Sequence, residues 1–145
     1  MANDTGLGNY ASQALLSAVL GTTSNFGALT SRAAWYLGLS STAASGTGGN
    51  VNEPSGGSYA RLATSAANYS SATNADPSQA TNIGTLSFPA ATADWLSQSL
   101  IVCVPIYDAA AAGNYLGVGS LTVPKPVFNG DTFQIGSGQM VITLT

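Results

Sequence analysis

A nearly continuous apolar run, Leu100-Ile101-Val102-Cys103-Val104-Pro105-Ile106-Tyr107, lies in the second half of the chain. Strands that are buried on both faces carry apolar residues without alternation, so the run predicts the central strand of a sheet. Pro105 cannot donate a hydrogen bond to a neighbouring strand, which predicts a bulge or a sheet edge at that end. Cys103 is the single cysteine of a chain without histidine, and we interpret it as a small buried hydrophobe rather than a nucleophile.

Segments of alternating polarity on both sides of this run predict further strands. Their residue ranges are 33–39, 59–63, 83–88, 115–123, 132–135 and 139–144. Asn129-Gly130 and Ser137-Gly138 have the composition of tight turns and predict that the last strands pair as hairpins. Trp95 is expected to close one end of the core. We therefore predict an all-β fold, either an antiparallel β-sandwich or a jelly-roll-like barrel.

One short N-terminal helix is predicted at residues 9–20, with Asn9 as its N-cap. Leu15 and Val19 lie one turn apart on the apolar stripe of this helix. The helix is too short and too poor in charge to be stable alone, so this stripe covers either the core of the domain or a neighbouring subunit.

The segments at 40–57 and 66–82 are rich in serine, threonine, asparagine, glycine and alanine, and we predict two long loops there. A chain of 145 residues is expected to form one domain, residues 1–145, in which the β-domain spans residues 33–145.

Charged side chains make up 6% of the sequence, whereas a typical soluble domain has about 25%. A surface with so few charges suits a protein that is packed in an assembly. With three basic residues and a net charge of −3, we expect no nucleic-acid partner. No apolar run reaches the roughly 18 residues of a membrane span, so we expect no membrane association. The first residues lack the positive region of a secretory signal, which predicts a protein made in the cytoplasm.

The absence of histidine removes the usual general base and the commonest metal ligand. Asp94, Asp108 and Asp131 each lie beside a predicted turn, where a short carboxylate accepts backbone hydrogen bonds. The sequence contains no phosphate-binding loop, zinc-ligand spacing or hydrolase nucleophile motif. We therefore predict no catalytic residue, no cofactor and no metal site, and a protein that is not an enzyme.

The segment Glu53-Pro54-Ser55-Gly56-Gly57-Ser58-Tyr59-Ala60-Arg61 joins a predicted loop to a predicted strand. Arg61 is one of three cations and shares a strand face with Tyr59. Two alternatives stay open for Arg61: an ordinary pair with a carboxylate, or a contact across an interface, where tyrosine and arginine are enriched. The candidate subunit or capsid interface comprises Tyr59, Arg61, Glu53, Arg32, Leu15 and Val19.

The order of segments resembles a family of small virion proteins of tailed bacteriophages, over nearly the whole chain. The resemblance rests on the Asn9-Tyr10-Ala11 helix, the segments 35–39 and 53–61, Phe88-Pro89-Ala90-Ala91-Thr92 with Trp95, the segment 106–109, Leu121-Thr122, and Gly130-Asp131-Thr132. Residues 95–108 depart from the family pattern, since the segment is longer and carries Cys103-Val104-Pro105.

Members of that family are described as head decoration proteins, also called capsid cement proteins, or as tail fibre proteins. The resemblance implies a virion structural protein, and we expect a homotrimer that binds the major capsid protein on the outer capsid surface and stabilises the mature shell. The alternative is a tail fibre or tail-associated receptor-binding protein, which would bind a host receptor or glycan.

Overall fold

The computed structural model describes residues 6–20, 33–75 and 77–144. In these residues nine strands form antiparallel sheets beside one short helix, which confirms the all-β prediction. The elements in chain order are β1 (Gly6–Leu7), α1 (Asn9–Val19), β2 (Trp35–Leu37), β3 (Leu62–Thr64), β4 (Ser78–Thr81), β5 (Leu86–Ala90), β6 (Ile101–Tyr107), β7 (Tyr115–Lys125), β8 (Thr132–Ile135) and β9 (Met140–Leu144).

The larger sheet has the strand order β3-β2-β6-β7-β9-β4, and β1 pairs with β7. Strand β6 lies inside this sheet and is buried at every position except Val102, so the prediction of a central strand is confirmed. Pro105 keeps its register opposite Val118, and its carbonyl accepts a hydrogen bond from the Gly38 N–H at 2.8 Å. The register of β6 against β7 shifts on either side of Pro105, between Ile101 and Cys103 and between Ile106 and Tyr107.

The smaller sheet consists of β5 and β8. Its apolar side chains share one core with those of the larger sheet, as in a sandwich, and the described strands do not close into a barrel. Phe88 of β5 and Phe133 of β8 pack edge to face with ring centroids 5.8 Å apart. Trp95 is 2% exposed in the same core, which confirms its predicted position.

The loop at residues 40–57 covers a second apolar cluster, which includes Ala44, Cys103, Tyr115 and Val118. This loop contains no helix or named strand, as predicted, and an isolated bridge joins Ser40 to Cys103. Cys103 is fully buried as a free thiol, which confirms the interpretation of this residue as a buried hydrophobe.

Both predicted hairpins are wrong. Turns do occur at the two sites, with Gly130 and Gly138 at φ 90° and 72°. However, β8 pairs with β5, whereas β7 and β9 belong to the larger sheet. The chain therefore crosses from one sheet to the other at each turn, because burial of the apolar face of β8 in the core outweighs the local preference for a hairpin.

Several further boundaries differ from the predictions. The strand predicted at 59–63 is β3 at Leu62–Thr64, so Tyr59 and Arg61 precede the strand and the prediction that they share a strand face is wrong. The predicted loop at 66–82 contains a 3-10 turn, Ala66–Asn68, and the edge strand β4. Strand β5 begins only at Leu86, because the buried Asn82 side chain holds the preceding turn through hydrogen bonds to the carbonyls of Gly84 and Gly136 at 2.7 and 2.8 Å. The strand then continues through Pro89, which an edge strand tolerates.

Helix α1 confirms the predicted N-terminal helix and packs against β7. Among the described residues, no helix has the length and apolar character needed to cross a bilayer.

Candidate functional site: the Glu53 and Arg61 network

A tight turn brings Glu53 back towards the strand that follows it. Gly56 and Gly57 adopt left-handed conformations with φ 74° and 58°, and the Tyr59 N–H closes the turn on the Gly56 carbonyl at 3.0 Å. Glycine adopts this conformation without a steric penalty, which explains the glycine pair at this point. As a result, the side chains of Glu53, Tyr59 and Arg61 converge.

Arg61 and Glu53 form a two-pronged ion pair. The Arg61 Nη2 lies 2.6 Å from the Glu53 Oε2, and its Nε lies 3.0 and 3.2 Å from the two carboxylate oxygens. The Arg61 side chain is 11% exposed and that of Glu53 is 20% exposed. This geometry is stronger and better defined than that of an exposed surface pair.

The other side of the Arg61 guanidinium holds the turn between β6 and β7. Its Nη1 donates hydrogen bonds to the carbonyls of Ala109 and Ala112 at 3.1 and 2.6 Å. Its central carbon lies 3.4 Å from the centroid of the Tyr107 ring, in a cation–π contact. Arg61 therefore ties the loop that carries Glu53 to a turn that is distant in sequence.

Tyr59 links the ion pair to the core. Its hydroxyl donates to the Glu53 Oε1 at 2.6 Å and accepts a hydrogen bond from the Leu39 N–H at 2.9 Å. Its ring packs edge to face on Trp95 with centroids 5.2 Å apart, and the Trp95 indole donates to the Gly57 carbonyl at 2.9 Å. The turn, the ion pair and the core thus form one connected unit.

Burial and the neighbouring charge set the protonation states of this network. Burial, together with the hydrogen bond to Glu53, raises the pKa of Tyr59 well above its ordinary value. Burial and the negative charge of Glu53 raise the pKa of Tyr107 to about 12. Burial alone would lower the pKa of Arg61, but the hydrogen bond and charge of Glu53 outweigh it and raise that pKa. Both tyrosines therefore stay neutral and the arginine stays charged, and the Arg61 hydrogen bonds join the loop that carries Glu53 to the turn after β6.

Two other features bear on chemical activity. Among residues 6–20, 33–75 and 77–144, no group of three or more histidine, cysteine or acidic side chains could hold a metal ion. The Cys103 thiol donates to the Thr42 carbonyl at 3.3 Å, and burial raises the pKa of this thiol. A thiol that remains protonated is a poor nucleophile.

The comparison with known protein families identifies the chain. A family model described as podophage GP4 fiber I protein gp80 matches residues 6–143. The chain belongs to this family. The predicted membership of a family of tailed-phage virion proteins is thereby confirmed, and the protein is a phage virion protein. A search of the curated proteins found no match.

The region matched by the gp80 family model includes every residue of the Glu53 and Arg61 network. Three of the six residues predicted for an interface, Glu53, Tyr59 and Arg61, meet in this network. Leu15 is half-buried on α1. Val19 belongs to the same helix, but its side chain lies outside the part that the structure describes, as does the whole of Arg32. A role of these residues in an interface stays a prediction.

Sequence reasoning missed Tyr107 and Gly38 as members of the site. A Cβ at Gly38 would overlap the Glu53 Oε1, so any other residue there would displace the carboxylate from its present contacts. Tyr107 lies in the segment 106–109, which contributes to the family resemblance, and this was the sequence feature that could have pointed to it. No local pattern indicated that its ring would pack against the Arg61 guanidinium.

Proposed function

We propose that this protein is a non-enzymatic structural component of a podophage fibre, located at the tail. The observation that carries the proposal is the match of a fibre protein family model to residues 6–143. This description agrees with the alternative expected from the sequence, a tail fibre or tail-associated protein, better than with capsid decoration.

The physical character of the domain supports a mechanical role. Few side chains are charged, and the ion pair of Glu53 and Arg61 is used inside the domain to fix the 40–57 loop and the turn after β6. A loop that is already fixed loses little conformational entropy when it meets a partner. Such a domain suits long-lived association in a virion, where binding alone is required and no bond is made or broken.

The partners in this proposal are other copies of the chain and neighbouring virion proteins at the tail. A host receptor or glycan is a partner if the domain lies at the tip of the fibre. The major capsid protein, bound by a homotrimer on the outer capsid surface, is the partner under the capsid decoration hypothesis.

The position of the protein in the virion tests the proposal. Antibodies against the purified protein would be bound to intact virions and located by immunogold labelling, and gel densitometry would compare its copy number with that of the major capsid protein. Label confined to the tail and a low copy number are expected. Label spread over the shell, with a copy number that approaches that of the capsid protein, would overturn the fibre proposal in favour of capsid decoration.

A second measurement separates a receptor-binding tip from a structural part of the fibre. Host cells would be incubated with purified protein before phage is added, and adsorption would be measured. A receptor-binding tip lowers adsorption by competition, whereas a structural part of the fibre leaves adsorption unchanged.

A further inference from the structure

A cleft of about 220 Å³ separates two strands that follow each other in the chain, β7 and β8. It is lined by Leu121, Val123 and Lys125 of β7, by Phe133, Gln134 and Ile135 of β8, and by Gln139. Consecutive antiparallel strands joined by a tight turn ordinarily pair with each other. Here they do not pair: β8 belongs to the smaller sheet with β5, and β7 belongs to the larger sheet.

Strand edges adjoin this cleft on both sides. Strand β9 pairs with β7 at Ser120 and Leu121, and no other described strand pairs with residues 122–125 on that side. Within residues 6–20, 33–75 and 77–144, β8 pairs with β5 on one edge, and no strand pairs with its other edge. Pro124 lacks an N–H, and proline is typical of strand edges that lack a neighbour. The backbone groups of these edges can bind an added strand.

Lys125 occupies this cleft in the isolated domain. Its Nζ donates a hydrogen bond to the Gln134 carbonyl at 3.3 Å and lies 4.6 Å from the centroid of the Phe133 ring. A lysine that caps an exposed edge prevents unwanted strand pairing. The contact is long and exposed, so an incoming backbone N–H can replace it.

We propose that this cleft binds an extended segment of another virion protein by strand addition. The segment would place its backbone along the open edges and apolar side chains near Leu121, Val123 and Ile135, the apolar lining of the cleft. It would carry a carboxylate opposite Lys125, because the lining formed by the described residues contains one cation, Lys125, and no acidic side chain. Asp131 lies close by but already accepts a hydrogen bond from the Phe128 N–H at 3.0 Å.

The charge of the cleft favours another protein over a second copy of this chain. Four of the six acidic residues of this chain belong to described loops or turns and hold them through their own contacts: Glu53, Asp94, Asp108 and Asp131. The remaining two, Asp4 and Asp76, lie outside the described residues and are flanked mainly by alanine, asparagine, threonine and proline. Neither sequence has the alternating apolar residues that the cleft requires.

Photo-crosslinking in intact virions tests this inference. Benzoylphenylalanine would replace Val123, which is 71% exposed, and the same amino acid at Ile83, which is 58% exposed, serves as the control. We expect the Val123 position to give a crosslink that maps to an acidic, extended segment of another virion protein, and the Ile83 position to give at most one-tenth of that product. A crosslink to a second copy of this chain, or no product at Val123 in virions that contain the variant, overturns the proposal.

Charge reversal provides an independent test. Lys125→Glu should reduce incorporation into virions at least tenfold, and Lys125→Gln should reduce it about threefold. The melting temperatures of the purified variants should equal that of the wild-type protein, because the Lys125 side chain is exposed. Wild-type incorporation of Lys125→Glu would refute the proposed carboxylate. Only the identity of the partner rests on the proposed function. A crosslink from Val123 to a capsid protein would contradict the location at the tail fibre, but it would still support the cleft as a strand-binding site.

Discussion

Replacement of Arg61 by methionine tests whether the network with Glu53 is a main support of the loops. The variant keeps a long side chain but removes the charge, so the Glu53 carboxylate, 20% exposed, loses its cation. Loss of one partner of a buried pair costs about 3–5 kcal/mol, and the cation–π contact with Tyr107 adds about 0.5–1 kcal/mol. Because both side chains are partly exposed, solvent screening reduces the total to about 3 kcal/mol.

The comparison variant is Lys125→Met, which removes the exposed cation of β7 and should change the free energy of unfolding by less than about 1 kcal/mol. Urea unfolding followed by tryptophan fluorescence gives both values, since Trp95 lies in the core beside Tyr59. A double-mutant cycle of Arg61→Met with Glu53→Gln then isolates the energy of the pair. Equal destabilisation by Arg61→Met and Lys125→Met, or a coupling energy below about 0.5 kcal/mol, would show that the network is not a main support of the loops.

Three further predictions concern single positions. Gly38→Ala should destabilise the fold by about 1–3 kcal/mol, because the added methyl group displaces the Glu53 carboxylate. Gly84→Ala is the control and should have little effect, because the added methyl group meets open space. Equal melting temperatures for the two variants would contradict this prediction. Ser97→Gly should raise the free energy of unfolding by about 0.5–1 kcal/mol, because Ser97 has φ 50° and glycine adopts that conformation without a Cβ clash. Urea titration of both proteins measures the difference, and a loss of stability would show that the conformation of Ser97 is not strained. The unfolded chain loses the Tyr107 proton near pH 10.0 and the folded chain near pH 12, so the free energy of unfolding should fall as pH rises through this window. The free energy of unfolding of Tyr107→Phe should fall less steeply over the same window. Identical slopes for the two proteins, measured by unfolding at each pH, would refute the raised pKa.

The sequence predicted those parts of the fold that depend on burial alone. The apolar run at 100–107 did form the central strand, and Trp95 and Cys103 are buried where expected. For the run and Cys103 the pattern of apolar residues within one segment carries the information, because a segment that is buried on both faces must be apolar whatever its neighbours are. For Trp95 the information is the size of its aromatic side chain.

The sequence did not predict which strands pair. The turns at 129–130 and 137–138 have hairpin composition, but the strand between them joins β5, which lies far away in the sequence. Local turn preference is a small energy compared with the burial of the Phe133 and Ile135 side chains, and the position of their partners in the core cannot be read from neighbouring residues.

The same limit applies to the candidate site. Sequence reasoning singled out Glu53, Tyr59 and Arg61 from one short segment, and the turn at Gly56 and Gly57 does bring them together. Their supports come from other parts of the chain: the Tyr107 ring and the carbonyls of the turn after β6. Those contacts depend on the pairing of β2 with β6, which no local pattern indicated.

The distribution of charge connects the stability of the domain to its assembly. In a chain with three cations, Arg61 is used inside the domain, Lys125 lies in the cleft between β7 and β8, and Arg32 lies outside the described residues. In the proposed assembly, long-range electrostatic attraction contributes little to association, and recognition rests on shape, apolar contact and backbone hydrogen bonds, with one local charge contact at Lys125. Strand edges such as those beside Lys125 supply these hydrogen bonds. The scarcity of charge, the internal use of Arg61 and the strand edges beside Lys125 thus support the proposed strand addition, in which backbone and apolar contacts hold the partner and Lys125 selects its carboxylate.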